Sequence, residues 1–429
     1  MSTERIHSYY NATANSAARY PRLEGEIKVD VAVIGGGFTG LASALELAEQ
    51  GKKVALIEAN RIGWGQSGRN GGQVTGSLSG DGAILRQLAR QVGQQAAEEF
   101  IWYLRWHGQD IIRSRIAKYG IDCDLKSGHL HTAYKPSHMH AMRAAYDEMV
   151  RRGMGDMVEL VEAQDLARFL DTPLYHGAIY NKRNLHLHPL NLCLGEASAL
   201  ASLGGLIFEQ SPVLDIIHGS TPTLCLERGR VVAEQILLAG DVSHRLERRK
   251  LSGMIFPAAG GIVATAPLGA LARQLNPQDV AVYDSRYVLD YYRTTADGRL
   301  LFGGGANYSG KASRDIAAEL RPCIERTFPQ LRGVEIAFQW SCDMGIVFNR
   351  IPQLGRLAPN VWYAQGYSGH GLATSHIVGE VMANAIAGTM DKFDAFQRFS
   401  HVRAPVGDWL GRHILALGMW YFLMLERLR

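Results

Sequence analysis

Residues 31–40 read Val-Ala-Val-Ile-Gly-Gly-Gly-Phe-Thr-Gly, and their reading decides the fold. A continuous apolar run stops abruptly in glycines, and apolar positions at helical spacing begin at once. This predicts a strand, a tight turn and a helix. Gly35, Gly37 and Gly40 satisfy G-x-G-x-x-G. The first allows the turn, the second lets backbone approach a pyrophosphate, and the third lets the helix pack closely on the strand. Phe38 and Thr39 then stand at a helix N-terminus, whose N–H groups and dipole favour phosphate. Leu41, Ala44, Leu45, Leu47 and Ala48 carry the apolar stripe to a capping Gly51. Lys53 to Ile57 predicts a second buried strand, with Glu58 at its end, 18 residues past Gly40. A carboxylate there accepts hydrogen bonds from an adenosine ribose.

The chain of 429 residues, 47% hydrophobic, is long enough for two or three domains around a large core. Its 45 basic and 41 acidic residues are interspersed, so nucleic acid is not an expected partner. Five cysteines, at 123, 193, 225, 323 and 342, form no C-x-x-C pair, which argues against a disulfide framework or zinc site. The polar stretch 1–28 has no signal-like apolar segment, and the apolar run Ile414 to Leu425 is about half the length of a membrane span. A soluble, cytoplasmic protein is the expectation. The run, with Trp420, Tyr421 and Phe422, reads as a helix packed on the body or on a partner chain in preference to a membrane anchor.

After Glu58-Ala59 comes a loop, residues 60–73, too glycine-rich for helix or strand. Arg61, Ser67 and Arg69 offer donors to a phosphate or polar heterocycle there. Apolar positions between Ile84 and Tyr119 predict a pair of helices or one long one. Ile121 to Ala133 alternates like a hairpin around Ser127-Gly128, Arg286 to Arg293 reads as a strand, and Val231 to Leu238 is a strand ending at Ala239-Gly240. Near the end, Gly366-Tyr-Ser-Gly369-His370-Gly371 forms a second glycine loop feeding a helix.

The Gly35/Gly37/Gly40 fingerprint, Glu58-Ala59, Ser67-Gly68-Arg69-Asn70-Gly71-Gly72 and Tyr367-Ser-Gly369-His370-Gly371 together resemble the D-amino-acid-oxidase superfamily of FAD-dependent oxidoreductases. Ile121-Asp-Cys-Asp, His188-Pro-Leu-Asn-Leu, Leu289-Asp-Tyr291-Tyr-Arg293 and Phe328-Pro-Gln-Leu bring the likeness closest to the bacterial gamma-glutamylputrescine oxidoreductases. The resemblance implies an α/β fold: a Rossmann-like FAD domain with a parallel sheet (28–84, 189–250 and 345–400) and an inserted substrate domain with a mixed or antiparallel sheet (85–188 and 251–344). A C-terminal helical segment, 401–429, would follow.

FAD would lie with its pyrophosphate on Gly35 to Gly40, its ribose on Glu58 and its adenine by Val213. Its ring would sit between Ser67 to Gly72 and Gly366 to Gly371. The loop holds neither histidine nor cysteine, so the cofactor is expected to be non-covalent. The implied chemistry is oxidation of an amine C–N bond by hydride transfer to flavin N5, with dioxygen or another acceptor taking the electrons.

Amino-acid-oxidising relatives grip the substrate carboxylate with an arginine eight residues before a proline; eight before Pro352 stands Met344, and Asn349 replaces the accompanying aspartate. That favours amines over α-amino acids, unless Arg286, Arg293 or Arg350 substitutes. Tyr291, Tyr292 and Trp340 are candidates for an aromatic wall, and Tyr291, Trp340 and His370 for roles at the reacting centre. The pairs His129/His131 and His186/His188 are read as structural, without metal. A D-amino-acid or secondary-amine oxidase and a non-catalytic flavoprotein remain alternatives.

Overall fold

The computed structural model describes residues 7–404 except 309, 311 and 312, together with 411, 413–418 and 424. The expected C-terminal helical segment therefore lies mostly outside the described residues.

Two sheets organise the described chain. The first, of eight strands, has the order Gln353–Ala358, Val361–Gln365, Gly229–Leu238, Gly25–Ile34, Val54–Ile57, Leu206–Phe208, extended at Gly229–Leu238 by Thr223–Leu226 and Val213–Ile217. From Val361–Gln365 to Leu206–Phe208 every neighbouring pair is parallel. All four residues of Val54–Ile57 are buried, as an unbroken apolar run in a sheet covered on both faces should be. The helix Phe38–Glu49 leaves Gly25–Ile34 at the fingerprint, and Gly371–Ile386 packs against it, bringing the rings of Phe38 and His376 to 5.2 Å.

The segment between Ile84 and Tyr119 forms two helices, Asp81–Val92 and Gln94–Tyr119, broken at Gly93 with φ +89°. Leu88, Ile101, Leu104 and Ile112 share a core with Leu41, Leu45 and Ile377. Within it, Glu196 is fully buried between His376 (3.0 Å) and Arg115 (3.1 Å), tying three helices together. Burial would raise its carboxyl pKa, but its contacts with His376 and Arg115 hold it below the usual range.

The second sheet, of nine strands, runs Ile336–Ile346, Phe256–Thr265, Leu300–Asn307, Tyr291–Thr294, Ala281–Asp284, Lys126–Thr132, Gly177–His186, Gln73–Val74, with Val158–Glu162 beside Gly177–His186. It is mixed, because Lys126–Thr132 pairs parallel with Ala281–Asp284 while its other neighbour is antiparallel. Alternation separates its faces. Val263, Tyr292 and Phe302 meet the helix Ile316–Thr327, whereas Ile262, Leu301 and Trp340 meet Tyr9 and Tyr10 of the N-terminal arm.

Two expectations from alternation are corrected here. Residues 121–133 make no hairpin: Lys126–Thr132 is one strand, and Gly128, φ +107°, marks an irregularity between Ser127 and His129 in its pairing with Gly177–His186. Nor is 286–293 one strand. Arg286 stands in the turn between Ala281–Asp284 and Tyr291–Thr294, ion-paired to both Asp284 and Asp290, and this staple bends the chain.

Candidate active site

The fingerprint glycines are held by contacts a side chain would break. A Cβ on Gly40 would lie 1.9 Å from the Gly35 carbonyl oxygen, so only glycine lets this helix start so close to the strand. Gly35 itself turns with φ +114°. A Cβ on Gly37 would stand 2.8 Å from Ser67 Oγ, filling the gap between the helix N-terminus and the glycine-rich loop. These observations fit a dinucleotide: bare backbone and a helix N-terminus with the loop close beside them. At the strand end, Glu58 accepts from the N–H of Gly36 and of Asn60, each at 2.7 Å, while burial raises its carboxyl pKa. Ala59 is exposed beside it. Ser211 donates its N–H to the Glu58 carbonyl (2.9 Å), so the segment entering Val213–Ile217 runs alongside.

Two expected phosphate donors have protein partners. Ser67 Oγ accepts from the Phe38 N–H at 2.9 Å, holding loop and helix together. Arg61 pairs with the buried Glu209 at 2.7 Å, and Glu209 also accepts from the Ile62 N–H at 2.8 Å. Sequence reasoning missed Glu209; no local pattern marks it.

The rest of the loop is fastened from the second sheet. Asn70 donates to the carbonyls of Gln66 (3.1 Å) and Ser67 (2.9 Å) and accepts from the Gly72 N–H (2.8 Å). Gly68 is buried in the short helical turn Gln66–Gly68. Trp340 Nε1 donates to the Arg69 carbonyl at 2.9 Å, and the Arg69 guanidinium lies over Trp64, 5.2 Å from the ring centre. The Tyr291 ring covers Gly71 so closely that a Cβ there would be 2.5 Å from it. Arg293, 3% exposed, donates to the carbonyls of Gly71 (3.0 Å), Leu187 (2.9 Å) and Thr294 (3.3 Å) and to Tyr10 Oη (3.3 Å). Trp340 and Tyr291 thus face this loop together. Tyr292 points the other way, stacked on Phe302 at 5.5 Å, and joins no aromatic wall.

The late glycine loop closes the constellation. Tyr367 Oη and Thr39 Oγ1 are 2.6 Å apart, joining the two glycine loops. Gly366, Ser368 and Gly369 all have positive φ, at +85°, +52° and +93°. Asp241, just past Gly240, accepts from the Gly366 N–H at 2.8 Å; burial raises its carboxyl, which backbone N–H groups counteract. Ser368 Oγ accepts from the Val347 N–H at 3.2 Å. The strand-ending Ala239-Gly240-Asp241 was the only sequence signal for this clamp.

Gly369 and His370 are exposed, and Gly371 begins the helix. Met344 reaches the same loop: its Sδ is 3.9 Å from where a Gly369 Cβ would stand.

The histidines read as structural have protein partners. His129 Nε2 meets Gln73 Oε1 at 3.1 Å, His186 Nε2 the Asp279 carbonyl at 2.9 Å, and His188 Nδ1 accepts from the Asn191 N–H at 3.1 Å. No helix among the described residues is long and apolar enough to cross a membrane.

Known proteins share this sequence and fold. The chain is 38% identical over 429 residues to gamma-glutamylputrescine oxidoreductase of Escherichia coli (strain K12), covering 99% of each. It is 34% identical to a probable oxidoreductase, OrdL, of Haemophilus influenzae, over 99% of this chain and 98% of that one. Among solved structures, glycine oxidase from Geobacillus kaustophilus superposes with TM-score 0.71 at 21% identity, covering 88% of this chain and 99% of that one. The model of the DAO family, FAD dependent oxidoreductase, matches residues 30–385, and the chain belongs to that family of FAD-dependent oxidoreductases.

Proposed function

We propose that this FAD-dependent oxidoreductase oxidises the C–N bond of an amine whose reacting carbon bears no carboxylate, of the gamma-glutamylputrescine or related polyamine-derived class, giving an imine that water converts to an aldehyde. It would work in the cytoplasm, with dioxygen or another acceptor taking the electrons. Gly35 to Gly40, Glu58, the loop 67–72 and Gly366 to Gly371 would hold FAD. Bound there, it supplies the acceptor for the substrate hydride.

The carrying observation is Met344 beside the Gly369 loop. A thioether gives a carboxylate no compensation for desolvation. The three arginines named above as substitutes have other engagements: Arg286 with Asp284 and Asp290, Arg293 with backbone carbonyls, and Arg350 over the Tyr308 ring at 5.6 Å. Trp340, Tyr291 and Arg293 act in this reading as positioning residues, fixing Arg69 to Gly72. The N-terminus of Gly371–Ile386 supplies positive potential at the late loop, suited to negative charge developing there. The substrate must present a free nitrogen lone pair, so the neutral amine reacts.

Anaerobic mixing with a panel of amines and amino acids, followed by flavin absorbance, tests this. Bleaching by gamma-glutamylated or putrescine-like amines ahead of glycine and D-amino acids is expected; the reverse order would overturn it. Acid precipitation is expected to release the yellow chromophore into the supernatant, as a non-covalent cofactor would be.

A further inference from the structure

We infer that Asp81 and Arg105 form a recognition site for a zwitterionic amino-acid head group, an ammonium and a carboxylate on one carbon, carried at the end of the substrate remote from the reacting amine. The inference rests on the amine reading above and narrows it, from polyamine-derived amines in general to those joined to an amino acid through its side chain. The ion pair is half spent. Arg105 Nη2 donates to Asp81 Oδ2 at 2.5 Å, but Arg105 Nε and Asp81 Oδ1 are without a partner among the described residues. Polar atoms withdrawn from water normally find one, and leaving a charged group unpaired is costly. The pair still opens to solvent, the Arg105 side chain being 34% and that of Asp81 24% exposed. A spare donor on a cation beside a spare acceptor on an anion is the complement of a zwitterion. A second ammonium would engage only Asp81, a lone carboxylate only Arg105, and an apolar tail neither.

The pair stands beside both loops expected to hold the flavin. Asp81 begins the helix Asp81–Val92, and Arg105 belongs to Gln94–Tyr119. Two residues before Asp81, Ser79 Oγ donates to the Ser368 carbonyl of the late glycine loop at 3.2 Å, and a Cβ on Gly80 would stand 2.9 Å from the Arg350 backbone. From the other side the second sheet presents a row of side chains. Tyr291, whose ring covers Gly71, lies directly opposite Tyr283, and Tyr283 opposite His131, the last two rings being 4.5 Å apart. The charges of Arg105 and Asp81 both act on Tyr283. The row thus leads from the flavin loop at Tyr291 to Tyr283, one strand spacing or about 5 Å further on, and so to the ion pair. An aliphatic chain lying along it would join the reacting carbon to the head group.

Gamma-glutamylethylamide carries the head group but no second amine, so its binding reads the site apart from the reaction. Calorimetric titration of the full-length holoprotein should show it binding, and Asp81→Asn and Arg105→Gln should each weaken that binding by about tenfold or more. In anaerobic flavin reduction at matched flavin content, the preference for gamma-glutamylputrescine over N-acetylputrescine, which keeps the amide and the amine but lacks the head, should fall by about the same factor. A merely structural role would slow both amines together and leave their ratio as it was. Absence of binding, or a ratio unchanged in both variants, would overturn the proposal. Binding that depends on Asp81 and Arg105, with neither amine reducing the flavin, would uphold the head-group site and overturn the amine reading instead.

Discussion

Thr39 and Tyr367 are hydrogen-bonded at 2.6 Å although 328 residues separate them. Thr39 lies in the first turn of the fingerprint helix and Tyr367 in the late glycine loop, so this contact sets the spacing of the two loops expected to enclose the cofactor. Tyr367→Phe keeps the ring and deletes the bond. A neutral hydrogen bond contributes about 1 kcal/mol, so FAD affinity should fall about fivefold, read by flavin fluorescence on dilution, while the melting temperature of the apoprotein moves little. An unchanged affinity would make the contact incidental.

Arg293 distinguishes positioning from substrate binding. It is buried with carbonyls at 2.9–3.3 Å, and Arg293→Met would strand several of them. The expected loss is about 2–4 kcal/mol, seen as a lower urea midpoint, together with reduced flavin content as Arg69 to Gly72 loosens. Unaltered stability with a raised KM only for carboxylate-bearing substrates would instead make Arg293 the carboxylate partner.

Buried histidines give the stability a direction with pH. Burial, reinforced by the Arg293 charge, holds His186 and His188 at about 3, and burial holds His129 well below its usual value. In the unfolded chain each titrates near 6.5. As pH falls below that, the unfolded state takes up protons that the folded state refuses, so stability falls, by up to about 1.4 kcal/mol per pH unit for each histidine. Glu58, Asp241 and Asp290, whose pKa values are raised, oppose this only in the carboxylate range. Urea midpoints should therefore drop from pH 7 to pH 5.5, and less so in His188→Gln.

What the sequence makes legible is local. The fingerprint and both glycine loops are contiguous patterns of bare backbone, and Glu58 stands at a fixed spacing from the first of them. The clamps that hold them in register are not contiguous: Asp241 reaches Gly366 across 125 residues, and Glu196 reaches His376 across 180. Ser67 shows a different limit. Its residue type suggests a donor to phosphate, whereas in the fold its oxygen accepts from the Phe38 N–H. Strand alternation separates Tyr291 from Tyr292 but does not say which of them faces the loop; that depends on the helix Ile316–Thr327 covering the Tyr292 side.

Substrate class turns on Met344. Its sulfur lies against the Gly369 loop, on the sheet face that also carries Trp340, so a substrate carboxylate placed there would lose water without gaining a charged partner. Amines with no carboxylate on the reacting carbon carry no such penalty. Hydride transfer further requires the lone pair on nitrogen, so the reductive rate should rise with pH until the substrate amine is fully deprotonated, and the rise should track the pKa of each amine tested. Met344→Arg would place a guanidinium at this loop. Because an arginine–carboxylate pair is often bidentate, it should shift preference toward α-amino acids by about tenfold or more in kcat/KM while lowering it for the amine. Stopped-flow reduction of the unmodified protein and of Met344→Arg with one amine and one amino acid checks this. Fast reduction of the unmodified protein by glycine, with Met344→Arg leaving the ratio unchanged, would mean that carboxylate recognition lies elsewhere in the cleft.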